Sequence, residues 1–301
     1  MDYHKIFGDL PGVLFNEPMS RHTTFRIGGR ADVFATPSTE AELEALLQKA
    51  KLHNISVTVI GNASNILVRD GGIRGLVIAT TNLKKIEIQG TTVLAGAGNS
   101  LYQVALATAE AGLGGLEFAA GIPGSIGGAA FMNAGAYDGS MEQVVKAVRL
   151  RQEDGKYISL VGDQLGFCYR KSALQNSGII TAVLLQLQAA TKEAVMAKIQ
   201  ELAQKRSTSQ PLNMPSAGSV FKHLGDIYPA KVIDELGLKG LAVGGAQVSE
   251  KHAGFIVNKG NAKASDVLEL VEIIKTKVKE ERNLDLKMEI VVLGEDNKEA
   301  K

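Results

Sequence analysis

Apolar residues recur at helical spacing in several stretches of the chain. Thr39 with Glu42 forms a capping box, and Leu43, Leu46, Leu47 and Ala50 then set an apolar stripe. Asn99-Ser100 supplies an N-cap for a helix over 101–110. Thr191 opens a helix with Val195, Ile199 and Leu202 on one face, and Lys205 and Arg206 stand at its C-terminal end, where the dipole favours cations. A short helix is predicted near 230–236. A strongly amphipathic one follows over 265–281, with Val267, Leu270, Val271, Ile274 and Val278 inward. Between these lie short apolar runs that read as strands: 31–35, 57–60 (buried), 66–68, 76–79, 86–88, 92–94, 179–187, 254–258 and 287–293. Residues 144–151 and 157–160 read as a hairpin. Residues before Thr23 read as a short arm, and the charged end of the chain as disordered. Helices mixed with short strands in this order predict an α+β protein.

One stretch fits neither period. Residues 121–139, GIPGSIGGAAFMNAGAYDG, carry few side chains that could fill a core. Glycine accepts positive φ and lets a backbone approach a neighbour closely, and successive N–H groups in such turns suit phosphate oxygens. A tight crossing of two elements, with a turn at Pro123-Gly124, is the alternative. The spacing Gly121, Gly124, Gly127, Gly128 is not GxGxxG, and no Lys-Ser or Lys-Thr follows. Neither a Rossmann fingerprint nor a P-loop is supported.

Composition narrows the classes. The 301 residues suffice for two or three domains, and the proline- and serine-rich run 207–216 marks a boundary between them. A net charge of +1 without basic runs gives no reason to expect nucleic acid or an anionic membrane as partner. The single cysteine, Cys168, excludes an internal disulfide and a multi-cysteine metal site, and no metal is expected. The start lacks a signal-peptide pattern and no apolar run is long enough to span a bilayer, so the expected location is cytoplasmic.

Polar groups set among small or apolar residues mark the candidate chemistry. They lie in 61–65 (GNASN), in the glycine-rich stretch, in 167–170 (FCYR), in 217–222 (AGSVFK) and at Glu289 within KMEIVVL. Singly each has a plain reading. Arg170 reads as a surface cation, Ser219 as a cap, and Glu289 as part of a solvated face with Lys287.

Together and in this order they resemble the UDP-N-acetylenolpyruvoylglucosamine reductases of bacterial peptidoglycan precursor synthesis. The resemblance is carried by the 61–65 loop, PGSIGG with Asn133-Ala134-Gly135-Ala136-Tyr137, Tyr169-Arg170-Lys171-Ser172, GSVFK, and Gly244-Gly245-Ala246-Gln247-Val248-Ser249. It runs from about Thr24 to Gly294. Ala63 stands where a second glycine is common, and Cys168, read as an inert core thiol, where a small residue is usual. His223-Leu224 replaces a polar residue and proline after Lys222. No tyrosine lies between Tyr169 and Tyr228, so the chain resembles the shorter branch, without the lid tyrosine.

The resemblance implies an FAD-binding domain of the vanillyl-alcohol-oxidase (PCMH) type over 24–190, in subdomains 24–80 and 81–190. A substrate domain would follow over 207–294, its last strand returning to the active site. Bound FAD is expected on Arg26, Gly28 and Gly29; on Gly61, Asn62, Ala63, Ser64 and Asn65; on Gly121, Pro123, Gly124, Ser125, Gly127 and Gly128; and on Asn133, Ala134 and Gly135. NADPH is the expected hydride donor and a UDP-sugar the substrate, touched by Tyr137, Tyr169, Lys222, His223, Gln247 and His252. Arg170, Ser219 and Glu289 are the implied catalytic residues, in a monomer or weak oligomer. The rival readings are an oxidase of the same flavin fold and a non-catalytic nucleotide-sugar binding protein.

Overall fold

The structure, a computed structural model, describes residues 1–297; the end of the charged tail, 298–301, lies outside the described residues. Two compact units result. The first comprises Met1–Val13, Phe34–Asn62 and Val77–Arg206, and the second Leu14–Val33, Ala63–Leu76 and the residues from Ser207 on. Neither is continuous in sequence. Among the described residues no helix is long and apolar enough to cross a membrane.

The first unit contains α1 (Tyr3–Phe7), α2 (Glu40–Leu52), α3 (Leu101–Glu110) and α4 (Ile126–Phe131), and α5 (Lys192–Ser209) up to Arg206. Its main sheet is antiparallel, with strands ordered 157–161, 145–151, 179–186, 92–96 and 86–89. Alternation buries Val148 and Leu150 of one strand and Val183 and Leu185 of its neighbour. These join Val104 and Ala105 of α3 and Ile126, Ala129 and Ala130 of α4 in one core. Both expected caps are present. Thr39 Oγ1 accepts from the Glu42 N–H at 3.1 Å, while the Glu42 carboxylate reaches back one residue further, to the Ser38 N–H at 2.7 Å. Ser100 and Gln103 bond reciprocally.

The second unit holds a sheet ordered 216–219, 255–258, 246–248 and 242–243. With α6 (Pro229–Glu235) and α7 (Ala264–Arg282) it builds a separate core around Val267, Leu270, Val271 and Ile274. Strand Val291–Leu293 runs parallel to Ile66–Val68. The Asp70 carboxylate, just past that pair, accepts from the Ala264 and Ser265 N–H groups at 2.8 and 2.9 Å and so caps α7 from a distant part of the chain.

Several expectations are corrected. The supposed arm contains α1, with Phe7 fully buried, and strand Val13–Pro18; its apolar pairs are too short to show a period. Val57–Ile60 is a strand, but Val57 and Val59 are exposed. α5 runs to Ser209, into the run read as a boundary. The last strand covers only Val291–Leu293, because Met288 makes a single bridge to Phe221 instead of continuing a ladder. The charged end begins in order: the Glu295 N–H donates to Gly72 O at 3.0 Å, and Arg69 pairs with Asp296.

Candidate active site

The glycine-rich stretch is not one loop. Ser125 caps α4, accepting from the Gly128 N–H at 3.3 Å. Two glycines inside so short a helix weaken it, which hid it from the sequence pattern. Packing explains one of them. A Cβ on Gly127 would lie 2.8 Å from Ala97 Cβ, and the Gly127 N–H donates to Ala97 O at 3.0 Å. Helix α4 ends in a Schellman motif, with Asn133 N–H to Ala130 O at 3.2 Å and Ala134 N–H to Ala129 O at 2.8 Å. Asn133 takes the left-handed position, φ 43°.

Here the first expectation needs correction. The N–H groups of residues 126, 127 and 128 are spent within the protein, on Asn99 O, Ala97 O and Ser125 Oγ. They are not an open row of donors. What the fold does is bring Gly61 and Asn62 against the glycine-rich stretch of the same unit. Asn62 Nδ2 donates to Pro123 O at 2.6 Å, and Gly61 packs so closely on Ser125 that any side chain there would strike its hydroxyl. Gly121 lies against the half-buried Arg206 side chain, where an added Cβ would sit 3.0 Å from Cδ. Burial draws the Arg206 guanidinium below its ordinary value. Its position in the sequence suggested only a helix-end cation.

After α4 the chain forms a tight hairpin, Gly135–Ala136 with Gly139–Ser140, turning at Tyr137 with φ 56°. The Tyr137 hydroxyl donates to Leu202 O of α5 at 3.0 Å. A second two-residue turn lies nearby, where Cys168 and Lys171 exchange both backbone bonds at 3.0 and 3.1 Å. Tyr169 and Arg170 are its central residues. Arg170 has φ 56°, at a position where turns of this kind favour Gly or Asn. Its Nη2 donates to Gly135 O at 3.4 Å, and its guanidinium carbon is 5.0 Å from the Tyr169 ring centre. Cys168 is exposed, not the core thiol expected: a two-residue turn has no interior in which to hide its first member.

Asn133 meets this turn. Its Nδ2 donates to Cys168 O at 3.1 Å and to the Glu142 carboxylate at 2.9 Å, and its Oδ1 accepts from the Glu142 N–H at 3.0 Å. Both amide donors are thereby used inside the chain. Glu142, which sequence reasoning passed over, is the partner that orients it.

In the second unit Thr23–Gly29 is braced from three sides. Thr24 Oγ1 donates to Ser216 O at 2.8 Å, the Thr24 N–H to Ala63 O at 3.4 Å, and Asn258 Nδ2 to Phe25 O at 3.2 Å. Gly28 and Gly29 lie against Val68 and the Asp70 backbone, closer than a side chain allows. Arg26 is exposed with φ 55°, and Ala63, where a glycine is common in the resembled family, has φ 46°. Asn258 carried no functional signal, yet its amide also accepts from Gly260 and Ala262 N–H groups.

Ser219 ends strand Ser216–Ser219, opposite Phe255. The register shifts between Ser216 and Ser219, and Gly218 takes φ 78° with nothing within 4 Å of where a Cβ would be. The left-handed residue and the shifted register together re-aim the serine, as β-bulges do. Beyond it the Val220 N–H donates to Gly254 O at 2.9 Å, Glu289 N–H to Val220 O at 2.8 Å, and Lys222 N–H to Lys287 O at 2.9 Å. Asn65 Nδ2 donates to Glu289 O at 3.2 Å, and Asn65 O accepts from Val291 N–H at 3.0 Å. The unit therefore brings Asn65, Ser219–Lys222 and Glu289 into one strand bundle. Gln247 holds the Gly240 turn through Nε2 at 3.0 Å. His223 is exposed and packs edge-on to Tyr228 at 4.6 Å. His252 Nδ1 accepts from Gly254 N–H at 3.1 Å, and burial pushes the ring's pKa down.

Nine non-glycine residues among those described have positive φ. Five are asparagines, which tolerate it. The other four are Arg26, Ala63, Tyr137 and Arg170, all of them candidate site residues. Strain of this kind gathers where a site over-determines its backbone.

The donor set fits a bound FAD in kind. Residues 26–29, 61–65 and 121–128 carry Arg26, small, neutral polar and a few apolar side chains, with no acidic group to oppose a pyrophosphate. Comparison agrees. Residues 31–161 match the FAD binding domain family, and residues 210–293 the C-terminal domain of UDP-N-acetylenolpyruvoylglucosamine reductase. The fold is thus a mixed α+β flavoprotein, a PCMH-type FAD-binding domain followed by a reductase C-terminal domain.

The relatives narrow this further. The UDP-N-acetylenolpyruvoylglucosamine reductase of Clostridium botulinum is 43% identical over 298 residues, covering 99% of this chain and 97% of its own. That of Syntrophomonas wolfei is 44% identical over 298 residues, covering 98% and 100%. The crystal structure of the Thermus caldophilus enzyme superimposes with a TM-score of 0.81 at 37% identity, over 94% of this chain and 98% of that one. The chain belongs to the UDP-N-acetylenolpyruvoylglucosamine reductase family.

Proposed function

We propose that this chain reduces the enolpyruvyl ether of UDP-N-acetylenolpyruvoylglucosamine to the lactyl ether of UDP-N-acetylmuramate in peptidoglycan precursor synthesis, using NADPH. The observation that carries the site assignment is the set of strained residues: among the described residues other than glycine and asparagine, positive φ falls only on candidate site positions. FAD, when bound, would supply the redox chemistry, hydride transfer from NADPH to the terminal carbon of the enolpyruvyl group.

The chain's residues do the rest. Residues 24–190 hold the cofactor and 207–294 the sugar nucleotide. By the family resemblance, Gly61–Asn65, the Gly121–Ser125 turn and Arg26–Gly29 would hold the pyrophosphate; the N–H groups of residues 126–128 are already taken within the protein. Gly127, Gly128 and Asn133–Gly135 would contact the cofactor as well. Arg170 pairs with the substrate carboxylate as negative charge develops on it, and its planar fork suits two carboxylate oxygens. Glu289, in its neutral acid form, would donate a hydrogen bond to the enolate oxygen. Ser219 gives its proton to the carbon bearing the carboxylate and regains one from Lys222 or water. Tyr137, Tyr169, His223, Gln247 and His252 contact the substrate. The chain works without a lid tyrosine, as a cytoplasmic monomer or weak oligomer.

The test uses the two half-reactions. Purified protein should carry an oxidised-flavin spectrum that NADPH bleaches. Ser219→Ala should be bleached at close to the normal rate, while reoxidation by the enolpyruvyl substrate slows by roughly 10²–10⁴-fold, the range for losing a general acid. A folded protein that takes up no FAD sinks the whole reading. Equal slowing of both halves assigns Ser219 to shaping the flavin site instead.

A further inference from the structure

Segments 133–135 and 168–170 are linked twice, once from each side. Asn133 Nδ2 donates to Cys168 O at 3.1 Å, and Arg170 Nη2 donates to Gly135 O at 3.4 Å. The first link does not depend on Arg170's own side chain. It grips the carbonyl that opens the Tyr169–Arg170 turn. Asn133 is itself buried and held by Glu142, whose N–H donates to Oδ1 while its carboxylate accepts from Nδ2. That pairing fixes which end of the amide is which. The flipped amide would face N–H with NH₂, and carboxylate and carbonyl with oxygen. The amide has two N–H donors and both are spent, so the side chain has none for a ligand.

Arg170 also sits at φ 56°. A non-glycine residue stays there only when its surroundings hold it. The Cys168–Lys171 bonds close the turn, and Asn133 anchors the closed turn to the end of α4.

We propose that Asn133 is a positioning residue for Arg170: its amide, oriented by Glu142, clamps the Cys168 carbonyl and so fixes where the guanidinium is presented. This rests on the reading of Arg170 as the residue that meets the substrate carboxylate.

The test uses FAD-loaded enzyme and two variants. Asn133→Asp keeps the acceptor for the Glu142 N–H but loses the donor to Cys168 O. Asn133→Gly loses the side chain yet suits the left-handed backbone at this position, so it serves if the aspartate variant does not fold. With the melting temperature confirming a folded protein, amide hydrogen exchange at Cys168 and Lys171 should rise by about tenfold or more, because the turn opens locally. Turnover should fall by about tenfold with KM for NADPH unchanged. In an Arg170→Lys background that fall should largely disappear, since residues acting through one another are not additive. Unchanged exchange at the two amides overturns the proposal, as does a turnover loss that persists in full in the Arg170→Lys background. If Arg170→Lys alone costs no turnover, the reading of Arg170 fails, and the exchange rates alone then decide whether the clamp exists.

Discussion

Arg170 and Ser219 are presented by opposite devices. Arg170 lies in a turn tied down by side chains: Asn133 on its opening carbonyl, Glu142 behind Asn133, and the Tyr169 ring beside the guanidinium. Ser219 follows a left-handed glycine in a sheet, and what holds it is backbone, through Gly254 O, Val220 O and Lys287 O. A side-chain clamp is made of groups that single substitutions remove. A backbone ladder ignores most substitutions and depends on the one residue whose conformation it requires, here Gly218.

The comparison is most directly broken at Arg170 itself. Arg170→Lys keeps the charge but loses the planar fork, and turnover at saturating substrate should fall by about 10²-fold, as for removal of one preorganised donor at a developing oxyanion. Near-normal turnover would make the clamped turn structural only. On the ladder side, Gly218→Val places a β-branched residue at φ 78° with no neighbour to strike. Its effect is therefore conformational: flavin retention should be unaffected, while turnover falls by about 10–10²-fold as the serine shifts. If Gly218→Val matches wild type, the bulge does not aim Ser219.

Two smaller effects sharpen the contrast. His252 accepts the Gly254 N–H, and Gly254 O in turn holds Val220, next to Ser219. Burial lowers the pKa of this ring, with Lys239 acting in the same direction and Asp234 against it. Between the folded value and the ordinary one near 6.5, the unfolded chain binds more protons than the folded one. Stability should therefore fall as pH drops below about 6.5. Urea midpoints of wild type and His252→Gln at pH 7.5 and 5.5 measure this; the variant should show the smaller drop, and equal drops would remove His252 from the account. Smallest is Ser125→Ala, which loses the α4 cap at a cost of about 1 kcal/mol. The melting temperature should fall by about 2–4 °C. No change would mean α4 is held by packing alone.

Much of the fold was legible because its signals are local. The Thr39–Glu42 and Ser100 caps, the stripes of α2, α5 and α7, and the 145–151/157–161 hairpin each sit within about twenty residues of their cause. The candidate residues were legible only as an ordered set, since Arg170 or Ser219 alone had an ordinary reading. Helix α4 was missed because Gly127 and Gly128 mimic a loop, although Asn133 at its end is the residue type a left-handed C-terminus favours. Glu142 and Asn258 were missed because their partners, Asn133 and Phe25, are fixed only by folding.

By itself, then, the sequence determined the helices other than α1 and α4, most strands, the class of chemistry and the family, because periodicity, capping and motif order are written along the chain. Tertiary structure decided the rest. Segments 14–33 and 63–76 cluster with the C-terminal residues, and not with their neighbours in sequence, because pairings such as Ile66–Val68 with Val291–Leu293 join residues more than two hundred positions apart. It also decided what the glycines do. Gly61, Gly127, Gly28 and Gly29 are small because the protein's own backbone and side chains lie against them, whereas Gly218 is glycine for its φ alone. Composition cannot separate these cases, since the neighbour that demands the missing Cβ is chosen only when the chain packs.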